Sequence, residues 1–375
     1  MRPAPGALLA DPDGIEQRGE AMAVFDLDDF DGHEQVVFAA DPESGLQAIL
    51  AIHDTGRGPA LGGCRMWRYR DDVEAVRDAL RLSRGMTYKA AVADLALGGG
   101  KSVILAPEGA IADRGALFRA LGQAVDRLGG RYIVAEDVGT SPDDMADVAE
   151  ETAHVVGLAP ERGGRGDPSP ITARGVFTGL KSAVAWRLGR DDLDGVTVAV
   201  QGLGHVGWHL CTCLKDAGAR LIVADIDVAR TERAREELGA VVMAPAAIVG
   251  AEADVFAPCA LGAVIDDKSV PRLAAKVVAG AANNQLAENR HGAALKARGI
   301  LYAPDYVINA GGLIHVAAER FGHDAAWEEE KVAGIGRTLT EIFQTADREG
   351  LPTSTAADRV AEKRFRPHRR EVAAA

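Results

Sequence analysis

Residues 197–225 read TVAVQGLGHVGWHLCTCLKDAGARLIVAD, and this stretch decides the fold. Residues 197–201 form an apolar, strand-like run that leads directly into Gly202, Leu203, Gly204, His205, Val206 and Gly207, and a helical pattern follows over 206–217. A second apolar run, 221–225, ends on Asp225. Glycines in this setting allow a tight turn and a close approach of backbone to a pyrophosphate, and the helix N-terminus offers free N–H groups and a partial positive charge. A carboxylate about twenty residues further on accepts hydrogen bonds from the adenosine ribose hydroxyls and repels a 2′-phosphate. The stretch therefore predicts a Rossmann-type unit that binds NAD rather than NADP, with Arg230 close enough in sequence to soften the exclusion of NADP.

Working outward, further apolar runs at 255–257, 277–280 and 301–303 extend the strand–helix alternation, as a doubly wound sheet requires. Upstream, runs at 35–39, 48–53, 103–105 and 132–135 read as strands, with helices over 72–85 and 115–128; strand-like pattern starts at Val24. Residues 159–170 are crowded with proline and glycine and mark a boundary. Residues 328–364 read as amphipathic helix packing back on the first unit, and the basic stretch 364–370 as a solvated tail. The expected organisation is α/β in two domains. A flexible tail (1–21, with Met22 as an alternative start) precedes an N-terminal α/β substrate-binding, catalytic and oligomerisation domain (22–155, completed by about 328–365) and a Rossmann NAD-binding domain (156–327).

Composition narrows the class. The 375 residues are 47% hydrophobic and 26% charged, with a formal charge of −13, which repels phosphate backbones and anionic lipid and argues against nucleic-acid or membrane partners. No run approaches the roughly 18 apolar residues of a spanning helix. The cysteines Cys64, Cys211, Cys213 and Cys259 form no C-x-x-C pair and no metal-ligand spacing, which fits a reducing cytoplasm. His205 and His209 stand four apart but lack the glutamate of a metalloprotease helix, so no metal is expected.

The chemistry-bearing segment is GMTYKAAVADLALGGGKSVI, residues 85–104. Lys89 lies in an apolar run, and Lys101 follows Gly98–Gly100, read as a flexible turn. Two lysines in one desolvated cleft would depress each other's pKa, leaving one able to act as a base near neutral or alkaline pH. Asp137 follows the strand-like run 132–135, at the strand edge where α/β sites lie, and the backbone of GPALGGCR, residues 58–65, is a candidate lining for the same cleft.

Together with SPITARGV, FAPCALG, GAANNQLA and YAPDYVINAGGLIHVA, these motifs resemble the glutamate/leucine/phenylalanine/valine dehydrogenase family over about residues 22–365, most closely its leucine branch. The resemblance implies reversible, NAD-dependent oxidative deamination of an amino acid to its 2-oxo acid and ammonia. It assigns Lys89 to the substrate α-carboxylate, Lys101 to general-base activation of water, and Asp137 to the proton at the amino group. It places Gly62, Gly63 and Asn284 at the substrate, and Thr172, Cys259, Ala260, Asn283 and Asn309 at the cofactor. Leu61 and Val316 stand where the glutamate-specific branch carries a lysine and a serine, so Leu61, Met86, Ala135, Leu313 and Val316 are expected to form an apolar pocket for leucine, valine or isoleucine. A homo-oligomer, an octamer in the leucine branch, is implied as well. The alternatives are phenylalanine or tryptophan as substrate and, in another class, a non-catalytic NAD-binding sensor.

Overall fold

The computed structural model describes residues 23–107 and 109–372, with side chains through residue 367; the expected tail and alternative start lie outside these residues. The strand-like start at Val24 is instead a single 3-10 turn, Val24–Asp26.

A five-stranded sheet follows. β1 (Gln35–Asp41) and β2 (Leu46–Asp54) form an antiparallel pair, and β3 (Ala60–Trp67) leads to the helix α1 (Asp72–Val92), β4 (Gly98–Leu105), α2 (Arg114–Asp126), β5 (Tyr132–Glu136) and α3 (Pro142–Ala149). The spatial order is β1-β2-β4-β3-β5, with β3 parallel to both β4 and β5. Strand β2 reads as a continuous apolar run because both of its faces are covered. Leu46, Ala48, Leu50 and Ile52 pack among α2 and α3, and Ile49 and Ala51 pack against Ala75, Val76, Ala79 and Leu80 of α1.

Three expectations need correction. Helix α1 does not stop at Gly85; it runs to Val92, because Thr87, Tyr88, Ala90, Ala91 and Val92 continue its buried side. Lys89 is therefore helical. Gly98–Gly100 is not a turn but the first half of β4. A side chain there has no room: an added Cβ would lie 1.8 Å from the Asp54 carbonyl oxygen at Gly98, 2.0 Å from the Thr87 amide nitrogen at Gly99, and 2.6 Å from the Tyr132 ring at Gly100. The glycines let the strand press directly onto α1 and its neighbours. Finally, the candidate cleft lining 58–65 is not only a backbone lining: residues 60–67 form a strand inside the sheet, between β4 and β5.

The second unit begins with α4 (Ser169–Leu188) and continues through β6 (Thr197–Gln201), α5 (His205–Asp216), β7 (Arg220–Ala224), α6 (Val228–Leu238), β8 (Val241–Val242), β9 (Val255–Pro258), β10 (Val277–Val278), α7 (Arg290–Ala297), β11 (Leu301–Tyr302) and α8 (Asp305–Ile308). Its six strands are all parallel in the order β11-β10-β9-β6-β7-β8, so the chain reverses direction across the sheet between β6 and β9. Ligands bind at such a reversal, outside the carboxyl ends of the strands.

The C-terminal part is α9 (Gly311–Phe321), α10 (Ala325–Glu349) and α11 (Thr353–Val372). The expected single amphipathic helix is two, broken where Gly350 takes φ +66° and Pro352 follows. Helix α11 returns to α1, with the Phe365 and Tyr88 rings 5.2 Å apart, the Tyr88 hydroxyl donating to Glu362 at 2.9 Å, and Arg364 Nη1 donating to the Val92 carbonyl at 2.9 Å. The basic stretch thus starts inside a packed helix, not in a solvated tail.

Candidate active site

Lys101 sits in β4 with its side chain almost wholly buried, and its Nζ donates to Oδ2 of Asp137, the residue just after β5. Thr140 fixes Asp137 from below: its Oγ1 accepts the Asp137 amide at 2.9 Å and lies 3.0 Å from the Cys64 carbonyl. Gly63, on β3 between them, is the floor. An added Cβ would stand 2.6 Å from Asp137 Cβ and 3.2 Å from Lys101 Nζ. Gly62 lies equally close to β4, 1.7 Å from the Gly100 carbonyl oxygen by the same measure.

Burial pushes the Lys101 amine down, although the Asp137 carboxylate pulls the other way. Burial would raise Asp137, but Lys101 and then Arg65 outweigh it and hold the carboxyl below its ordinary range. Lys89, reaching from α1, is pushed down to about 8 by burial, with Asp305 opposing and Lys101 adding to the shift. Mutual repulsion of the two lysines is thus the smaller effect on Lys89, and the cation that acts on Lys101 is Arg65. Leu61 and Leu313 are buried in one large apolar cluster spanning both units, and Met86, Ala135 and Val316 pack half-buried against it.

On the second unit, Gly202 takes φ +99° with an added Cβ 2.8 Å from Ala260, and at Gly207 it would lie 2.1 Å from the Gly202 carbonyl oxygen; both must be glycine. Gly204 caps α5. Leu203 is buried in the core and Val206 packs half-buried against it, while His205 is exposed at the first residue of α5. Asp225 accepts the Leu203 amide at 2.6 Å through Oδ2 and the Asp227 amide at 2.8 Å through Oδ1, which aims the carboxylate at the β7 edge. The amide of Cys259 donates to the Gln201 carbonyl at 2.7 Å. Asn309 donates to Asn283 Oδ1 at 2.7 Å and to the Ala281 carbonyl, and Asn284, next in the chain to Asn283, takes φ +50°. Thr172 Oγ1 would sit 3.0 Å from a Cβ added at Gly312, which joins the start of α4 to that of α9. A cavity of about 980 Å³ runs between Gly85 and Tyr88 of α1, Asn283 and Asn284, and Asp358 of α11.

Arg65, Thr140 and Asp305 were not singled out from sequence. A cation inside the apolar run ALGGCRMW was the available signal for Arg65. Among the described residues Asp267, Glu288 and His291 come together, but the Arg290 guanidinium bonds both carboxylates and His291 Nδ1 accepts the Glu288 amide, so the group is already satisfied.

A doubly wound nucleotide-binding sheet beside a buried lysine–aspartate pair and a second cleft lysine defines a dehydrogenase that works with a nicotinamide cofactor. The family model described as Glu/Leu/Phe/Val dehydrogenase, dimerisation domain, matches residues 33–154, and that described as Glutamate/Leucine/Phenylalanine/Valine dehydrogenase matches residues 225–364. The chain belongs to this family of amino-acid dehydrogenases. It is 52% identical to the leucine dehydrogenase of Thermoactinomyces intermedius over 92% of this chain and 94% of the relative. It is 48% identical to an L-tryptophan dehydrogenase of Nostoc punctiforme over 89% and 94%. The crystal structure of L-tryptophan dehydrogenase from Nostoc punctiforme superposes with a TM-score of 0.82, covering 90% of this chain and 97% of that one.

Proposed function

We propose that the chain oxidatively deaminates L-leucine, L-valine and L-isoleucine with NAD. The observation that carries the substrate is Leu61, directly before Gly62 and Gly63 and buried in the apolar cluster that also holds Leu313, with Val316 packed against it. A glutamate side chain there would lie against hydrocarbon with no partner, at a cost of several kcal/mol. NAD is supported by Asp225, held at the β7 edge where it would accept the ribose hydroxyls. The exposed Ile226 beside it is an apolar ledge suited to adenine. Arg230 lies 3.3 Å from Asp227, which competes for its charge and weakens it as a phosphate ligand.

In this reading Lys89 grips the α-carboxylate, and Asn284 and the Gly62–Gly63 backbone orient the substrate. The bound cofactor supplies the hydride acceptor. Lys101 takes a proton from the water that attacks Cα, and Asp137 moves the proton at the departing nitrogen. Closure of the unit of about 22–155 with 328–365 against 156–327 would exclude the remaining water. We place the enzyme in the cytoplasm, where its free cysteines stay reduced, as a homo-oligomer, with the octamer of the leucine branch as the expected state. The edge strand β1 with its exposed Phe38 is a surface suited to self-association.

The test is initial rates across neutral to alkaline pH. Because burial lowers Lys101, kcat should rise as pH rises and the base loses its proton. Because Lys89 in the free enzyme titrates at about 8, KM for the amino acid should climb above that pH as its charge is lost. NADP in place of NAD should lower kcat/KM by about tenfold or more. A flat kcat with chemistry limiting, or equal use of the two cofactors, would contradict these assignments.

A further inference from the structure

Arg65 lies on β3 between two carboxylates. Its Nη1 donates to Asp78 Oδ2 at 2.9 Å, and its Nε is 3.6 Å from Asp137 Oδ2, the oxygen that also accepts Lys101. Asp78, on α1, is itself held by the Tyr69 hydroxyl and by Arg81, each at 2.7 Å. Charge therefore alternates from Lys101 through Asp137, Arg65 and Asp78 to Arg81, from the buried strand to the exposed helix surface.

We propose that Arg65 is a positioning residue for proton transfer: anchored by Asp78, it fixes the Asp137 carboxylate against Lys101. The proposal rests on the roles given to Lys101 and Asp137 above. A guanidinium suits it because its planar fork spans two carboxylates at once and stays charged at any working pH.

The groups around Asp137 are Lys101 from β4, Arg65 and Cys64 from β3, Tyr132 and Glu136 from β5, Lys89 from α1, and Tyr69 beyond β3. Asp144 of α3 acts on Glu136 and Cys64. Among these groups Arg65 works in one direction on both partners. It lowers Asp137 by attracting the ionised carboxylate and lowers Lys101 by repelling the ammonium. Loss of the guanidinium therefore raises both proton affinities, and the whole activity profile should move to higher pH.

The experiment is the pH profile of kcat and kcat/KM for wild type, Arg65→Met, Arg65→Lys, Asp78→Asn and Asp137→Asn, using leucine and NAD. Arg65→Met should shift the profile upward by about one pH unit, losing about tenfold at neutral pH and recovering part of it at alkaline pH. Arg65→Lys should keep the wild-type midpoint with reduced kcat, since the charge remains and the fork is gone. Asp78→Asn should lower kcat with only a small shift. Equal fractional loss for Arg65→Met at every pH, or a wild-type profile, would overturn the proposal. Should Arg65→Met fail to fold, a displaced midpoint in Arg65→Lys would overturn it instead. Asp137→Asn separates the two layers: full turnover in that variant removes the role of Asp137 itself, whereas lost turnover beside an unshifted Arg65→Met removes only the role of Arg65.

Discussion

Replacing Lys101 with alanine is expected to lower kcat by about a thousandfold or more while cofactor binding survives. The amine is buried in β4 with its Nζ on Asp137, and among the described residues no other lysine is paired with that carboxylate. Burial depresses its proton affinity, as a base at working pH requires. The proposed cofactor elements, Gly202 to Gly207 and Asp225, belong to the other unit, so the substitution should remove chemistry without removing cofactor binding. Stability should fall moderately, because Asp137 is left partly buried with Arg65 at 3.6 Å as its nearest cation. Steady-state kinetics beside cofactor titration measure both arms. Near wild-type turnover would contradict the assignment and show that the buried lysine has no catalytic part.

Adding one methyl group, Gly63→Ala, is expected to be almost as damaging. The new Cβ would stand 2.6 Å from Asp137 Cβ, 2.9 Å from the Glu136 carbonyl oxygen and 3.2 Å from Lys101 Nζ. Two of these neighbours cannot swing aside. Gly63 pairs with Ala135 in the ladder between β3 and β5, so relief requires moving β5 and, with it, Asp137. A displacement of about 1 Å at a reacting group costs on the order of a hundredfold in rate, so turnover should fall to about one per cent. The melting temperature should drop, and protection by NAD should persist because the second unit is untouched. Activity above about half of wild type would mean that the β3 floor yields far more easily than its neighbours allow.

These two predictions also mark what the sequence could and could not convey. The nucleotide-binding unit was legible because its signals are local: an apolar run, three spaced glycines and an acid at the end of the next strand are constraints imposed within one strand–helix–strand turn. Asp137 was legible at the edge of β5 for the same reason. Gly98–Gly100 misled because glycine usually marks a turn, whereas here it marks the closest approach of strand to helix, a property of α1 and Tyr132 as much as of β4. Strand β3 was hidden for the same cause, its glycine pair breaking the apolar alternation. Helix α1 looked finished at Gly85 because the residues beyond it are apolar toward two units at once and carry no simple one-sided pattern. Arg65 and Asp305 act on residues 72 and 216 positions away, on Asp137 and Lys89, and only the folded sheet and the return of the second unit bring them together.

The substrate assignment meets its most direct test in kcat/KM for leucine, valine, isoleucine, phenylalanine, tryptophan and glutamate, each with NAD. A branched aliphatic amino acid should lead, its two relatives should follow within about a hundredfold, since a methylene is worth only about 1–3 kcal/mol in an apolar pocket, and glutamate should stay at background. An aromatic lead would contradict the size of the pocket proposed from Leu61, Met86, Ala135, Leu313 and Val316, and a glutamate lead would contradict its apolar character.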